Sequence, residues 1–377
     1  MKNQYSAIIK KGGFSLVELM VALTLGLILL GGVLAVYMAQ TNNYKTAGAQ
    51  GAIQDEENAI AALVTPLVRS AGFMGCSGTA SVLSTLGAGA PPPLGAQSTS
   101  KSMIQGYDYA GTAGAGSAYT IAVDNPPDDG MVAHWAPNLD PSFVASGASV
   151  APGSDVLVVF GATLQGKPVG VYPTPNAHSV SMVVNDASGF QAGQFGAISD
   201  CAKSALFQVS TPMSAPPNGT PGAITIIPAL GVAFSPGAQV IPIQQNAFFV
   251  AYGQGGESVL MKATLQATRT GTFSWSTSGN PAVTGVPLVS GVETMQVLYG
   301  IGANGVVTQY LPASAVTQAN WPNIYVIRMG FLLEGRPGSG SIGQPTTFDV
   351  LGTTITVPAD TRLRHVFEMT INVRNAS

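Results

Sequence analysis

The sequence predicts an α+β chain in which a long N-terminal helix packs on an antiparallel, β-rich globular region, and three observations carry that prediction. Leu16–Met38 is a run of 23 residues with a single charge, Glu18, long enough for a bilayer-spanning helix. The chain holds 46 glycines and 26 prolines, nearly a fifth of its length where average usage gives about 12%, so turns are frequent. In the last third, apolar and polar residues alternate with the period of a strand that has one buried face. Only 9% of the residues are charged, against roughly 25% in ordinary soluble domains. A hydrophobic content of 46% excludes wholesale disorder. A net charge of −3 and a pI near 5.6 count against a phosphate-binding surface, so no nucleic-acid partner is expected.

The elements follow in order. Lys2, Lys10 and Lys11 precede the apolar run, which places them in the cytoplasm and everything after Met38 outside. The polar stretch Gln40–Asn43 offers no small-residue cleavage site, so the span is expected to be retained. Glu18 is the anomaly. An unpaired carboxylate near the start of a membrane helix costs at least a few kcal/mol and calls for a cationic partner. Ala49, Ile53, Ala59, Ile60, Leu63, Val64 and Leu67 recur at helical spacing, so residues 39–75 are read as the second half of the same helix. Gly48, Gly51 and Pro66 are places where it could bend or end. The globular region is 76–377, with a loop-rich insertion at 77–150 that carries Gly87–Pro93.

Strands are predicted at Tyr119–Val123, Asp155–Phe160, Val180–Val184, Ala205–Val209, Ile224–Ile227, Val240–Ile243, Phe248–Tyr252 and Val259–Thr264. They continue at Glu293–Tyr299, Val306–Tyr310, Tyr325–Leu333, Phe348–Leu351 and Thr354–Val357. In His365–Val373 the apolar Phe367, Met369, Ile371 and Val373 alternate with the polar Glu368, Thr370 and Asn372.

The stretch Lys10-Lys11-Gly12-Gly13-Phe14-Ser15-Leu16-Val17-Glu18-Leu19 resembles the class III signal of type IV pilins and type II secretion pseudopilins. The runs Arg69–Cys76, Ser154–Phe160, Ser199–Cys201, Gly291–Gly300 and Arg362–Phe367, with Asn372–Asn375, are similar to landmarks of PilW-type minor pilins. The resemblance implies a pilin-like fold and residues 1–13 as a leader. It implies a prepilin peptidase that cuts after Gly13 and methylates the Phe14 amine. Glu18 would then be the fifth residue of the mature chain, and its partner the Phe14 amine of a neighbouring subunit in a filament. Losing the leader removes three of the 15 basic residues and leaves 12 against 18 acidic ones.

As partners the resemblance implies other minor pilins, the major pilin and a large tip adhesin. As location it implies the inner membrane of a Gram-negative bacterium, single-pass with a periplasmic C-terminal region, and then the pilus. The implied role is structural: priming pilus assembly and sitting at or near the tip, in support of twitching motility and adhesion. Two other readings stay open, a minor pseudopilin of type II secretion and a membrane-anchored adhesin that never enters a filament.

Two cysteines in an exported chain suggest one disulfide, Cys76 to Cys201, with two buried free thiols as the alternative. Other motifs read as turns. Gly300–Gly305 satisfies G-x-G-x-x-G, but Val306–Tyr310 continues as strand, so no helix N-terminus is there to hold a pyrophosphate. Gly161–Lys167 imitates a phosphate loop, but Pro168 stands where the metal-binding hydroxyl belongs. Asp124–Gly130 concentrates oxygen ligands yet lacks the calcium-loop pattern and is read as a solvated turn. Asn218 and Asn375 begin sequon look-alikes. His134, His178 and His365 are far apart in sequence, so no metal site, cofactor or catalytic set is expected, and the chain is read as no enzyme.

Overall fold

The computed structural model describes residues 13, 15–75, 82–84, 103–121, 132–139, 143, 150–163, 168–210, 219–227, 229–252, 257–267, 273–278, 283–340 and 345–373. Leu16–Arg69 is one continuous α-helix of 54 residues, with Gly48, Gly51 and Pro66 inside it. Its two halves meet different surroundings. Residues from Leu16 to Met38 are exposed on every side. In the second half Ala49, Ile53, Ile60, Val64, Leu67 and Val68 are buried, a stripe at helical spacing that faces the sheets.

The helix ends where the globular part takes over its backbone groups. The Ser70 N–H donates to Pro66 O, and the Ser70 hydroxyl donates to Leu67 O at 2.8 Å. Gly72 turns the chain with φ +74, and its N–H donates to Phe160 O at 2.9 Å. Gly161 lies directly under this turn, and any Cβ there would collide with the Ser70 carbonyl.

The central layer is built on Gln239–Tyr252, a single strand of 14 residues where the sequence predicts two. The interruption in the pattern, Gln244-Gln245-Asn246, is buried or half-buried within the ladder. This strand pairs antiparallel with Val156–Ala162 and Ser258–Ala267. Ile104–Tyr109 adds to Val156–Ala162 on its other side. That strand lies inside the segment read as loop-rich. Phe248, Leu157 and Val159 face the helix, while Phe249, Val158 and Phe160 face a second core with Trp135, Phe143 and Trp275. Both faces are covered, which is why Val156–Phe160 is continuously apolar. A third core gathers Met182, Phe190, Phe207, Ile224 and Val240 under the strands between 169 and 227.

The C-terminal sheet has the order Val306–Leu311, Val292–Ala303, Ile324–Glu334, Arg364–Asn372, antiparallel throughout. Its inner face, with Met295, Tyr299, Met329 and Phe331, packs on the helix and the central layer. The hairpin Thr346–Val350 and Thr353–Val357 covers Leu332 on the outer face. In the last strand Phe367, Met369 and Ile371 point inward and Glu368, Thr370 and Asn372 are exposed, as the alternation predicts. Asn304-Gly305 is the two-residue turn of a hairpin, with φ +53 and +78, and the G-x-G-x-x-G run is therefore strand and turn.

Candidate functional site

The N-terminal tip of the helix is closed by its own side chains. Ser15 has extended dihedrals, φ −75 and ψ 147, and its hydroxyl accepts the Glu18 N–H at 3.2 Å. The Glu18 carboxylate reaches back to the Ser15 N–H at 3.5 Å. The two make a reciprocal capping box that satisfies two otherwise orphaned donors and sets the negative charge at the positive end of the helix dipole. Gly13 stands two residues ahead of Ser15, with nothing within 4 Å of where a Cβ would be. Phe14 lies outside the described residues, as do Lys2, Lys10 and Lys11.

Past the cap, the apolar half exposes Leu16 at 75%, Ile28 at 71% and Leu29 at 70%, a surface that water does not favour. Two threonine hydroxyls in and just beyond this half are satisfied within the helix. Thr24 donates to Val21 O and Thr41 to Tyr37 O, both at 2.9 Å, as a lipid environment demands. Among the described residues this is the one helix long and apolar enough to cross a membrane.

A family model described as Type IV Pilus-assembly protein W matches residues 247–375, and one described as Prokaryotic N-terminal methylation motif matches residues 9–34. The two matches support a PilW-type type IV pilin. The first match begins inside the long central strand and takes in the whole C-terminal sheet, while the second covers Gly13, the cap and the start of the apolar helix. No curated protein and no solved structure matches the chain. The motif and the exposed apolar helix support membrane anchoring and association with a pilus.

The helix meets the C-terminal sheet through a concentration of charge. Arg364 is buried and doubly clamped. Its Nε and Nη2 donate to Glu293 at 2.7 and 2.8 Å, and its Nη1 and Nη2 donate to Asp360 at 2.7 Å each. Burial pulls the Arg364 guanidinium down, but Asp360 and Glu293 outweigh it and hold the group above its ordinary value. The Arg364 hydrogen bond in turn holds Asp360 below the usual carboxylate range. Arg362 pairs with Glu334 at 3.1 Å, and His365 Nδ1 meets Glu57 of the helix at 2.7 Å.

Glu56 of the helix lies over Gly291, where a Cβ would come within 3.2 Å of both its oxygens, and its Oε2 has no hydrogen-bond partner. Burial, with Asp55 and Glu57 alongside, pushes Glu56 up to about 7. Burial and then the nearby Glu293 push Glu334 to about 7 against the pull of Arg362.

The sequence landmarks thus converge in space. Ser154 and Asp155 bind the run that follows Gly291: the Met295 N–H donates to Ser154 Oγ at 3.1 Å and the Val297 N–H to Asp155 Oδ2 at 2.8 Å. Asp155 Oδ1 also takes the Tyr109 N–H at 3.2 Å. Asp108, which no sequence signal singles out, accepts the N–H groups of Ala313 and Ser314 at 2.8 and 2.6 Å. Burial pushes both carboxyls up, and the Asp108 charge adds to the shift at Asp155.

Asp200 Oδ1 takes the N–H groups of Ala202 and Lys203, and Asp200 Oδ2 that of Ser235, which together outweigh its desolvation and lower it. Cys201, at φ +67, sits inside that turn. Its expected partner Cys76 lies outside the described residues, as do Asp124–Gly130, Asn218, Asn375 and the end of the phosphate-loop look-alike, 164–167. Among the described residues no three His, Cys, Asp or Glu side chains come together as a metal site.

Proposed function

We propose that the protein is a minor pilin whose work is structural: with other minor pilins and the major pilin it primes assembly of a type IV pilus and sits at or near the tip, in support of twitching motility and adhesion. A prepilin peptidase cuts after Gly13 and methylates the Phe14 amine. The freed chain waits in the inner membrane with its globular part in the periplasm, and the same apolar surface later packs against other helices. Glu18 then exchanges the Ser15 N–H for the Phe14 amine of a neighbouring subunit, a charge-assisted partner in place of a neutral one.

The observation that carries this reading is the Ser15–Glu18 cap at the start of an uncovered apolar helix, inside the segment that matches the methylation motif. A disulfide between Cys76 and Cys201 completes the proposal, supported by Gly75, whose Cβ position lies 3.1 Å from Ser199 Cβ, two residues before Cys201.

Gly13→Leu should leave full-length precursor in the membrane and remove pili from the cell, and normal piliation in that strain overturns the reading. Glu18→Ala should be processed normally and yet fail to enter filaments. Harmless Glu18→Ala would favour an adhesin that stays in the membrane. A gene deletion that abolishes exoprotein secretion and spares twitching would assign the protein to type II secretion instead.

A further inference from the structure

The long strand Gln239–Tyr252 changes neighbours on both edges within a few residues, and a groove opens at the change. On one edge it pairs with Phe195–Ser199 as far as Ile243 and takes up Ser258–Ala267 only from Asn246. On the other it pairs with Val169 and Gly170 through Gln239 and Val240, then with Val156–Ala162 from Ile243 onward. Pro242 stands between these partners and has no N–H to give a ladder. Its carbonyl takes the Thr163 N–H at 3.1 Å.

The groove that results has a volume of about 700 Å³, within the usual range of small-ligand sites. Its polar lining comes from Ser188, Gln191, Gln194, Gln244, Thr163 and Thr264, and among the described residues no charged side chain contributes. The apolar lining residues Phe195, Ile243 and Leu265 are themselves buried, so amides and hydroxyls form the larger part of the accessible wall.

The wall formed by residues 188–194 is held in place from behind. The Gln191 N–H donates to Gln194 Oε1 at 3.0 Å, and the Gln194 N–H returns to Gln191 O at 3.1 Å. The Gly193 N–H donates to Val209 O at 2.7 Å, and Phe190 is anchored in the third core. Such a wall is preorganised, which lowers the ordering cost of binding.

An ionic ligand would lose hydration here without meeting a counter-charge, and an apolar one would strip water from amides and hydroxyls without replacing it. A peptide strand needs pockets for its alternate side chains, and the apolar members of this lining are already buried. A ligand dense in hydroxyls suits groups that both donate and accept. We propose that this groove binds a short, uncharged oligosaccharide. The inference does not rest on entry into a pilus, because binding and piliation are read separately.

Saturation-transfer NMR on the full-length protein, in a detergent without a sugar headgroup, tests it with maltotriose, cellotriose and triacetylchitotriose, and with trialanine as the peptide control. The expected result is transfer to at least one trisaccharide, weakened tenfold or more by Gln191→Trp, which fills the groove from an exposed position. Gln244→Ala, which removes one amide, should weaken it several-fold, with the melting temperature of both variants unchanged. Transfer to none of the three sugars, equal or stronger transfer to trialanine, or undiminished binding in the folded variants overturns the assignment.

Discussion

Replacing Glu56 by Gln should stabilise the protein at pH 8 and change little at pH 5. The Glu56 carboxyl is held against Gly291 with a buried, partnerless Oε2, and its pKa is raised from 4.5 to about 7. For an acid raised in the folded state, the neutral form is the favoured one. Its contribution to stability is fully present below pH 4.5 and is lost as pH rises through 7.

A shift of that size corresponds to about 3 kcal/mol, at 1.36 kcal/mol per unit. Glu56 is only half-buried, so solvent screening reduces the figure to roughly 1.5 kcal/mol. Gln keeps the shape and cannot ionise. Thermal unfolding of the full chain in detergent, scanned at pH 5, 6, 7 and 8, should show the variant melting roughly 2–4 °C above the parent at pH 8. The gap should close by pH 5. The parent keeps a second slope in the same range from Glu334, also raised to about 7, so the variant's profile flattens without becoming level. An equal shift at pH 5 and pH 8, or a loss of stability at pH 8, would refute the claim that Glu56 is held there against its charge.

Three other perturbations test the framework around the helix. Asp155→Asn turns one accepting oxygen into a donor that faces the N–H of Val297 or Tyr109. It should cost about 2–4 kcal/mol in chemical denaturation, whereas a loss below about 0.5 kcal/mol would show that this clamp is dispensable. Arg364→Lys removes the planar fork that spans Glu293 and Asp360. It should destabilise by about 2–3 kcal/mol although the charge is kept, and high salt should not restore the loss. Alkylation of the unfolded, unreduced chain should modify neither Cys76 nor Cys201, and reduction should lower the melting temperature. Two alkylated thiols without reductant would remove the bridge.

The parts of this fold that were legible in the sequence are those fixed by local pattern. The apolar run and its single glutamate define the helix tip without any tertiary information. The alternation from Phe367 to Val373 finds its strand because one face is wet. What escaped the pattern depends on distant residues. Ile104–Tyr109 contains Gly106 and Asp108, poor strand formers by type, yet the Tyr299 ring fills the space beside Gly106 and Asp108 is satisfied by Ala313 and Ser314. Gln244-Gln245-Asn246 read as a break between strands, but Asn246 accepts a hydrogen bond from Thr264 at 2.9 Å and the ladder runs on. Glu56 is by residue type a member of the helix's polar side, but the sheet places Gly291 beneath it. The groove at Pro242 had no signal at all, since it arises from two strands parting.

The placement of charge in so sparsely charged a chain has a physical reason. Apolar packing between Ile53, Ile60, Val64 and the sheets holds the helix down, but such contact is non-directional and tolerates rotation about the helix axis. Charge-assisted, bidentate hydrogen bonds are directional. Glu56 and Glu57 stand in the packed half of the helix, a few turns beyond Thr46, which donates to Ser339 O at 3.0 Å, and the buried Ala49. Gly291 lies beneath Glu56 and His365 pairs with Glu57, while Arg362 and Arg364 are locked to Glu334, Glu293 and Asp360 behind. That junction fixes which side of the helix the sheet holds. Because the helix continues unbroken to Leu16, it also fixes the direction in which Glu18 points. On the filament reading, Glu18 must find one amine on one neighbour, so rotational freedom at residue 56 would be amplified into misplacement about 38 residues away, at roughly 1.5 Å of rise per residue. A glutamate left buried and partly neutral is tolerable at that junction because the alternative, an apolar seam alone, would hold the helix without aiming it.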